Sequence, residues 1–127
     1  MYVLRLRDGS RVQCCASEVR QASAQALRLR ATLEADGQEV DCLAVLGLDR
    51  PGLFDVPRRN GLKIIGAEVR ALVMVAGLTG GQVAQLVGGD PRKFRAWVGD
   101  ELAMPWAAWH ILAVYLGLSE PARIEAK

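Results

Sequence analysis

Apolar and polar residues alternate along the beginning of the chain. From Tyr2 to Arg7, Tyr2, Leu4 and Leu6 would lie on one face of a strand, with the intervening residues on the other. Asp8-Gly9 then precedes a second short run, Arg11 to Cys14. Because glycine accepts the positive φ of a tight turn at no steric cost, this pattern predicts a β-hairpin over residues 2–14.

A second hairpin is predicted downstream. Alternation resumes at about Ala26 and continues to Glu34, Asp36-Gly37 supplies the turn, and residues 39–46 form the returning strand. Residues 17–25 are predicted to form a short helix with Ser17 as its N-cap. The alternative is one long helix from Ser17 to Glu34, because alanine, glutamine, leucine and arginine all favour helix. The eight-residue alternation favours the strand.

The second half of the chain has helical patterns with clear boundaries. An apolar stretch over residues 67–76 stops at Gly77, a natural helix C-terminal residue. Thr79 followed by Gln82 has the spacing of a capping box, which predicts a helix that ends at Gly88-Gly89. Asp90-Pro91 suits the cap and first position of the next helix. A last helix is predicted from Pro105 to Gly117.

Proline and glycine are frequent between these two halves. Residues 49–61 are therefore predicted to be a linker. Its cluster Arg58-Arg59-Asn60 has two interpretations: a solvated connector, or an arm in which Arg59 contacts DNA phosphates or the minor groove. The predicted organisation is a β-hairpin-rich domain at 1–48, a linker at 49–61, a helical domain at 62–118 and a tail at 119–127. Because about 48 residues bury little apolar surface, the first domain is expected to be stabilised by contacts with a partner chain or with the second half.

Composition and charge narrow the function classes. With 127 residues, 51 % hydrophobic and 24 % charged, the chain is globular rather than disordered. A net charge of +2 provides no strong overall field toward nucleic acid or anionic membrane. Thirteen of the sixteen cations are arginine, a residue that suits phosphate and base contacts, although genome composition can produce the same bias.

Cysteine usage and the termini point to a reducing compartment. Cys14, Cys15 and Cys42 form neither a disulfide framework nor a zinc pattern, so we expect buried thiols in the cytoplasm and no metal. The first residues have no apolar run typical of a signal peptide. The uncharged stretch 102–118 is short for a membrane span and contains Pro105, so a buried helix is predicted and no membrane partner is expected.

Enzyme motifs are absent from the sequence. The only histidine, His110, lies among apolar residues and is predicted to be a packed or half-exposed helix residue. No Ser-His-Asp arrangement, Walker A loop or metal-ligand cluster occurs, and the glycine pairs are not phosphate loops. The chain is therefore predicted to be neither an enzyme nor a cofactor-binding protein.

Residues 79–98 instead have the features of two crossing helices that present a basic surface. Ala84 is small enough for a close helix crossing, and Gly88-Gly89 permits a tight turn. Phe94 and Trp97, three residues apart, would hold the second helix down. Its outward side then carries the cations Arg92, Lys93 and Arg95.

The stretch from Leu78 to Trp97 resembles the lambda-repressor-like helix-turn-helix family (Cro/CI, or xenobiotic-response-element type). The shared spacing runs from Leu78 through Ala84, Gly88 and Phe94 to Trp97, and the resemblance covers about residues 66–118. It implies an α+β chain in which the two strand-rich hairpins precede a four- to five-helix helix-turn-helix domain. The hairpin region has no counterpart in the minimal domain of that family.

The resemblance also implies which residues contact DNA. Positions that read bases correspond to Pro91, Arg92 and Ala96, with Lys93 and Arg95 near phosphates or bases. The cap and start of the first helix, which touch the DNA backbone, correspond to Thr79 and Gly80. Gly80 replaces a glutamine that commonly binds phosphate. Pro91 and Ala96 have no side-chain donor, so Arg92 would carry most of the base readout.

The resulting hypothesis is a sequence-specific, double-stranded DNA-binding transcriptional regulator, a dimeric cytoplasmic repressor. The strand edges of the first half are the candidate dimerisation surface. The alternative is an antitoxin, or a phage- or plasmid-borne interaction module, whose helical domain serves a toxin or other protein partner.

Overall fold

The computed structural model describes residues 1–55 and 62–119, which form a mixed α/β structure. A four-stranded antiparallel sheet and six helices occupy these residues. In chain order the elements are β1 (Tyr2–Arg5), β2 (Arg11–Gln13), α1 (Val19–Leu29), β3 (Thr32–Ala35), β4 (Gln38–Val40), α2 (Cys42–Leu46), α3 (Gly66–Ala76), α4 (Gly80–Leu86), α5 (Pro91–Val98) and α6 (Trp106–Tyr115).

The sheet has the strand order β2-β1-β3-β4. The first predicted hairpin is confirmed: Leu4 lies opposite Val12, and Gly9 adopts a φ of +88° in the turn. β1 also pairs with β3, where Leu4 lies opposite Leu33. Both leucines are buried, so one face of the sheet packs on the protein interior.

The second predicted hairpin is partly wrong. Its turn at Asp36-Gly37 is correct, but α1 continues through Leu29, and β3 begins only at Thr32. Neither the strand from Ala26 nor the single helix from Ser17 to Glu34 is found. Tertiary packing overrides the alternation, because Ala22 and Ala26 are fully buried on a helix, and Arg30 ends that helix in the left-handed conformation.

Two smaller boundaries also differ from the sequence prediction. The N-cap of α1 is Glu18 rather than Ser17. The returning strand ends at Val40, because the side chain of Asp41 accepts the Ala44 N–H at 3.2 Å and begins α2 instead. An N-cap interaction of this kind stabilises the first turn of a helix where the alternation predicted strand.

α1 lies between the sheet and the C-terminal helices. Ala22 and Ala26 belong to the small core beneath the sheet, whereas Ala24 belongs to the large core built by the helices. Leu27 contacts both cores. The small alanine side chains let the sheet and the C-terminal helices approach α1 closely. The strand-rich half therefore packs against the helical half, which was one of the two predicted sources of additional stability.

Arg28 of α1 also caps α3. Its Nε donates to the Val75 carbonyl at 2.7 Å and its Nη2 to the Met74 carbonyl at 3.1 Å. Both carbonyls lie in the last turn of α3, where the regular i+4 donors are missing, and the Met74 carbonyl also accepts the Gly77 N–H at 3.2 Å. The cation complements the helix dipole there. The cap fixes α1 across the C-terminus of α3.

The described part of the predicted linker packs onto the core. Leu53 is buried, its carbonyl accepts the Trp109 Nε1–H at 2.9 Å, and the Phe54 ring stacks on Trp109 with a centroid separation of 5.6 Å. Leu53 and Phe54 are therefore packed against α6. The basic cluster with Arg59 lies outside the described residues, as does most of the predicted tail.

Two of the three cysteines are buried as expected, and Cys15 is exposed. Burial raises the pKa of the Cys42 thiol. Across residues 1–55 and 62–119, no single helix is both long and apolar enough to cross a bilayer. α3 and α4 together reach that length and composition, but a bend of 93° separates them.

An ion pair connects residues 49–55 to the start of α3. Arg50 contacts the Glu68 carboxylate through two bonds, Nε to Oε2 at 2.8 Å and Nη2 to Oε1 at 2.7 Å. The side chain of Glu68 is 3 % exposed, and its Oε1 also accepts the Ile65 N–H at 3.0 Å. Arg50 thus neutralises a carboxylate that would otherwise be buried with its charge uncompensated.

Replacing Arg50 with methionine should lower the free energy of unfolding by about 2–4 kcal/mol, because the buried Glu68 carboxylate loses its counter-charge. Urea denaturation followed by circular dichroism measures the change. The double variant Arg50→Met, Glu68→Gln should regain most of the loss, since glutamine removes the charge and can still accept the Ile65 N–H. Equal instability of the single and double variants would contradict the assignment.

Candidate nucleic-acid interface

The first helix of the candidate interface, α4, begins with the capping box that the sequence predicts. The Thr79 hydroxyl accepts the Gln82 N–H at 3.2 Å, and Gln82 Oε1 accepts the Thr79 N–H at 2.9 Å. Both donors would otherwise lack a partner at the helix start. Thr79, Gly81 and Gln82 are exposed, so this side of the cap faces solvent.

The connection between α4 and α5 consists of residues 87–90. Gly88 has a φ of +77°, a conformation that glycine adopts without strain. The Gly89 N–H donates to the Ala84 carbonyl at 2.8 Å, which closes the end of α4. The glycine pair therefore makes the tight turn predicted from the sequence.

Asp90 caps α5 directly after this turn. Its Oδ1 accepts the Lys93 N–H at 2.9 Å, and Pro91 occupies the first helical position, where no N–H is needed. The Lys93 N–H is the main cause that holds the pKa of Asp90 below its ordinary value. A carboxyl with a lowered pKa stabilises the folded state above about pH 4, and this contribution is lost as the pH falls through the lowered pKa.

The Phe94 ring packs on the first turn of α4. Phe94 is 8 % exposed, and a Cβ added at Gly80 would lie 2.6 Å from Phe94 Cε1. No side chain larger than glycine fits there without displacing the ring. Gly80, the position where the family resemblance implies glutamine, is thus explained by packing: the large ring at position 94 takes the space that a side chain at position 80 would need.

Trp97 holds the other part of α5 in place. It is 6 % exposed, and its ring lies beneath the turn, where a Cβ added at Gly89 would be 3.2 Å from Cη2. Ala84 of α4 is 1 % exposed and belongs to the same core cluster. The small residues at positions 84 and 89 therefore let both aromatic rings of α5 seat against α4 and the turn.

The C-terminus of α5 is fixed by α3. A Cβ at Gly66 would lie 2.2 Å from the Val98 carbonyl oxygen, so the two helices meet backbone to backbone. The Gly66 N–H donates to Asp100 Oδ1 at 2.6 Å, and Arg70 Nη1 donates to the Val98 carbonyl at 2.9 Å. Both ends of α5 are consequently positioned by other helices.

This packing leaves the predicted basic side chains outside. Arg92, Lys93 and Arg95 are exposed, and none of these side chains forms a hydrogen bond or an ion pair with another described residue. Pro91 is exposed beside them. α5 therefore presents three exposed cations: Arg92 and Arg95 lie away from the two buried rings, and Lys93 lies one turn before Trp97, beside that ring.

The structure also locates the remaining predicted residues. Ala96 is half-buried, and its carbonyl accepts the Glu101 and Leu102 N–H groups at 2.9 and 3.2 Å. Gly80 is half-buried under Phe94. Arg92, Lys93, Arg95, Pro91 and the cap Thr79 thus share the accessible surface of α4 and α5, whereas Arg59 lies outside the described residues.

The sequence did not identify the residues that fix the C-terminus of α5 against α3. The Asp100 carboxylate caps the start of α3, and its φ is +60°, yet Asp100 is not among the predicted site residues. Arg70, whose guanidinium donates to the Val98 carbonyl, is not among them either. Both contacts join residues about thirty positions apart, so no local pattern could have identified them.

Exchanging Gly80 for alanine should lower the free energy of unfolding by about 1–3 kcal/mol, because the added methyl group collides with the buried Phe94 ring. Gly81 is the matched control: its added Cβ would meet only Thr79 Oγ1, at 4.0 Å. Gly81→Ala should therefore stabilise by up to about 1 kcal/mol. Thermal or urea unfolding compares the two, and equal stabilisation by both would refute the Gly80–Phe94 contact.

Comparisons with known proteins give two relatives, both from Escherichia coli and both named transcriptional repressor protein KorC. One is 46 % identical over 56 residues, which cover 42 % of this chain and 66 % of that protein. The other is 42 % identical over 66 residues, which cover 49 % of this chain and 76 % of that protein. No family model matches the chain, and no solved structure matches it.

The two relatives are similar to about half of this chain, at an identity far above chance for matches of this length. The matched stretch includes more than two thirds of the second relative. The chain therefore belongs to the family of the KorC transcriptional repressor proteins.

Proposed function

We propose that this protein is a sequence-specific, double-stranded DNA-binding transcriptional repressor that acts in the cytoplasm without enzymatic activity. In this proposal α4, residues 87–90 and α5 work as a helix-turn-helix of the lambda-repressor-like type. The relatives' names support the repressor role. The observation that carries the proposal is the exposure of Arg92, Lys93 and Arg95 on a helix that Phe94 and Trp97 fix to the core.

We assign different DNA contacts to the individual side chains of α5. An α-helix fits the major groove by width, and an arginine can contact guanine O6 and N7 with two bonds. Arg92 stands in the first turn of α5, where helices of this kind approach base edges, and is the proposed base-reading residue. Lys93 and Arg95 are proposed to contact phosphates or bases, with Thr79 and the start of α4 against the backbone.

The modest charge of the domain limits its non-specific affinity. Residues 62–118 carry five cations and four anions. Since non-specific DNA affinity grows with the number of neutralised phosphates, this domain should depend on base contacts and on a second copy for tight binding. We propose a homodimer whose two α5 helices enter successive major grooves, about 34 Å apart.

The antitoxin or interaction-module alternative remains a prediction from the sequence. Co-purification of a stoichiometric protein partner from the native host would favour it. Such a partner is compatible with DNA binding by the same chain, because the helical domain could serve both.

The proposed function is tested by selecting binding sites from a pool of random duplexes and by footprinting on the DNA that flanks the protein's own gene. We expect a preferred sequence with two related half-sites. Binding that is equally weak for every sequence at low salt would refute a sequence-specific repressor.

Arg92→Ala should weaken binding to the preferred site by about 1–3 kcal/mol and relax the preference at one base position, because a bidentate base contact is lost. Gel mobility shifts with the preferred site and its single-base variants measure both effects. Arg7→Ala is the charge-matched control: Arg7 is exposed in the turn after β1 and lies outside the candidate interface. If the two variants weaken binding equally, Arg92 is not a base-reading residue.

Lys93→Ala should weaken binding to all sequences by a similar factor. It should also reduce the slope of log K against log salt concentration by about 1 on a single half-site and by about 2 on a site that binds the dimer, because each copy loses one phosphate contact. Filter binding over a salt series measures the slope, and Lys93→Arg should retain it. A base-specific loss with an unchanged slope would instead assign Lys93 to base readout.

A further inference from the structure

The sheet has two edges, β2 and β4, and no further strand of the described residues pairs with either of them. All three residues of β2 are exposed, including Val12 at 48 %. A free strand edge is a template for pairing with another strand. We infer that β2 is a self-association surface, where β2 of one copy pairs antiparallel with β2 of a second copy about a two-fold axis at Val12.

The direction of the backbone groups supports this pairing. The Leu6 N–H donates to the Ser10 carbonyl at 2.8 Å, and the Cys14 N–H donates to the Tyr2 carbonyl at 2.9 Å. Because hydrogen-bonded and non-hydrogen-bonded pairs alternate along an antiparallel ladder, the N–H and C=O groups of Arg11 and Gln13 point away from β1. They are the free donors and acceptors of this edge.

A two-fold axis at Val12 uses these groups fully. Arg11 of one copy then lies opposite Gln13 of the other, and the two residues exchange both backbone hydrogen bonds on each side of the axis. Val12 faces its own copy as a non-hydrogen-bonded pair, the type in which side chains approach most closely. No cation lies directly opposite another cation in this register.

The charge of Arg11 is already compensated within its own copy. Arg11 Nε lies 3.3 Å from Glu34 Oε1 across the sheet. Opposite Arg11, the second copy would place the neutral Gln13. The pairing therefore requires no new ion pair and creates no direct like-charge contact.

The β4 edge lacks this self-complementarity. The alternation of the ladder turns the free backbone groups of Glu39 outward there. A two-fold axis at Glu39 would face Glu39 with itself, and one at Val40 would face Glu39 with Asp41. An axis at Gln38 would pair Glu39 with Gly37, whose φ of +80° belongs to the turn. The sheet already holds two directly opposed like-charge pairs, Arg5–Arg11 and Glu34–Glu39. A further pair at β4 would add to this repulsion, so a second copy pairs more favourably with β2.

An apolar row on the buried face of the sheet points to the same edge. Val12, Leu4, Leu33 and Val40 lie opposite one another across the four strands. Leu4 and Leu33 are 5 % and 0 % exposed, but the row ends at the half-exposed Val12. The second copy would continue the row with its own Val12 and cover this side chain.

The β2 pairing would be the interface of the homodimer proposed above, and its biological role rests on that proposed function. Three-residue strands give a small interface, so we expect a weak, reversible dimer in the micromolar range. Two half-sites on one DNA would raise the effective concentration of the second copy and strengthen the assembly.

Cysteine cross-linking of the full-length protein tests the register. In a Cys14→Ser, Cys15→Ser background, Val12→Cys should form an intermolecular disulfide in a glutathione buffer, because this pair lies within disulfide range. Arg11→Cys should cross-link far less, since the two copies of residue 11 would be roughly 7–8 Å apart on a diagonal. Glu39→Cys is the control for the β4 edge. Cross-linking through residue 39 rather than 12 would overturn the inference.

Sedimentation equilibrium tests the same surface without cysteines. Val12→Lys should raise the dimer dissociation constant by about tenfold or more, because two lysines would face each other at the axis, whereas Val12→Thr should change it little. Ile111→Lys introduces the same charge on the exposed side of α6, where Ile111 is 44 % exposed, and should leave the constant unchanged. Dissociation by Ile111→Lys alone, or a wild-type monomer at every concentration, would overturn the inference.

The two proposals fail in different measurements. Binding of a single half-site by Val12→Lys should equal that of the wild-type protein, because α5 is untouched. If the protein recognises DNA but does not associate through β2, the proposed function stands and the inference about β2 is wrong. If the protein associates through Val12 but shows no DNA sequence preference, the β2 surface is supported and the proposed repressor function is wrong.

Discussion

The packing of two aromatic rings against glycine-containing backbone is the constraint on which the candidate interface depends. Phe94 occupies the space that a side chain at position 80 would fill, and Trp97 lies against Gly89. Since both rings lie on one side of α5, Arg92 and Arg95 are directed to the other, and Lys93 lies exposed beside Trp97. The orientation of the basic surface is therefore a consequence of core packing, and it needs no attraction between the cations and the rest of the protein.

Arginine serves two distinct purposes in this chain. Arg28 and Arg50 satisfy internal groups, the carbonyls at the end of α3 and the buried carboxylate of Glu68. Arg20 donates in the same way to the Val45 carbonyl near the end of α2. Arg92 and Arg95 have no such partner among the described residues. Part of the arginine-rich composition thus has a structural explanation, and the proposed nucleic-acid contact depends on the unengaged guanidinium groups of α5.

α1 transmits structural support between the sheet and the helices. Its alanines contribute to both cores, and its arginine caps α3, whose opposite end meets the C-terminus of α5. The sheet edge proposed for self-association is thereby connected to the candidate DNA-binding helix through packed elements. A dimer built at β2 would for this reason place the two copies of α5 in a defined relation.

The elements with strong local signals were predictable from the sequence: the Asp8-Gly9 hairpin, the Thr79–Gln82 capping box and the start of α5 at Asp90-Pro91. In each case neighbouring residues supply the turn geometry or the missing hydrogen bonds. Only the tertiary structure shows that residues 26–29 are helical and that Leu53 is buried. It also shows that the Phe94 ring fills the space next to position 80, so that only glycine fits there. Local patterns cannot encode these outcomes, because helix and strand compete closely in an alanine- and leucine-rich segment, and contacts between distant residues determine which is more stable.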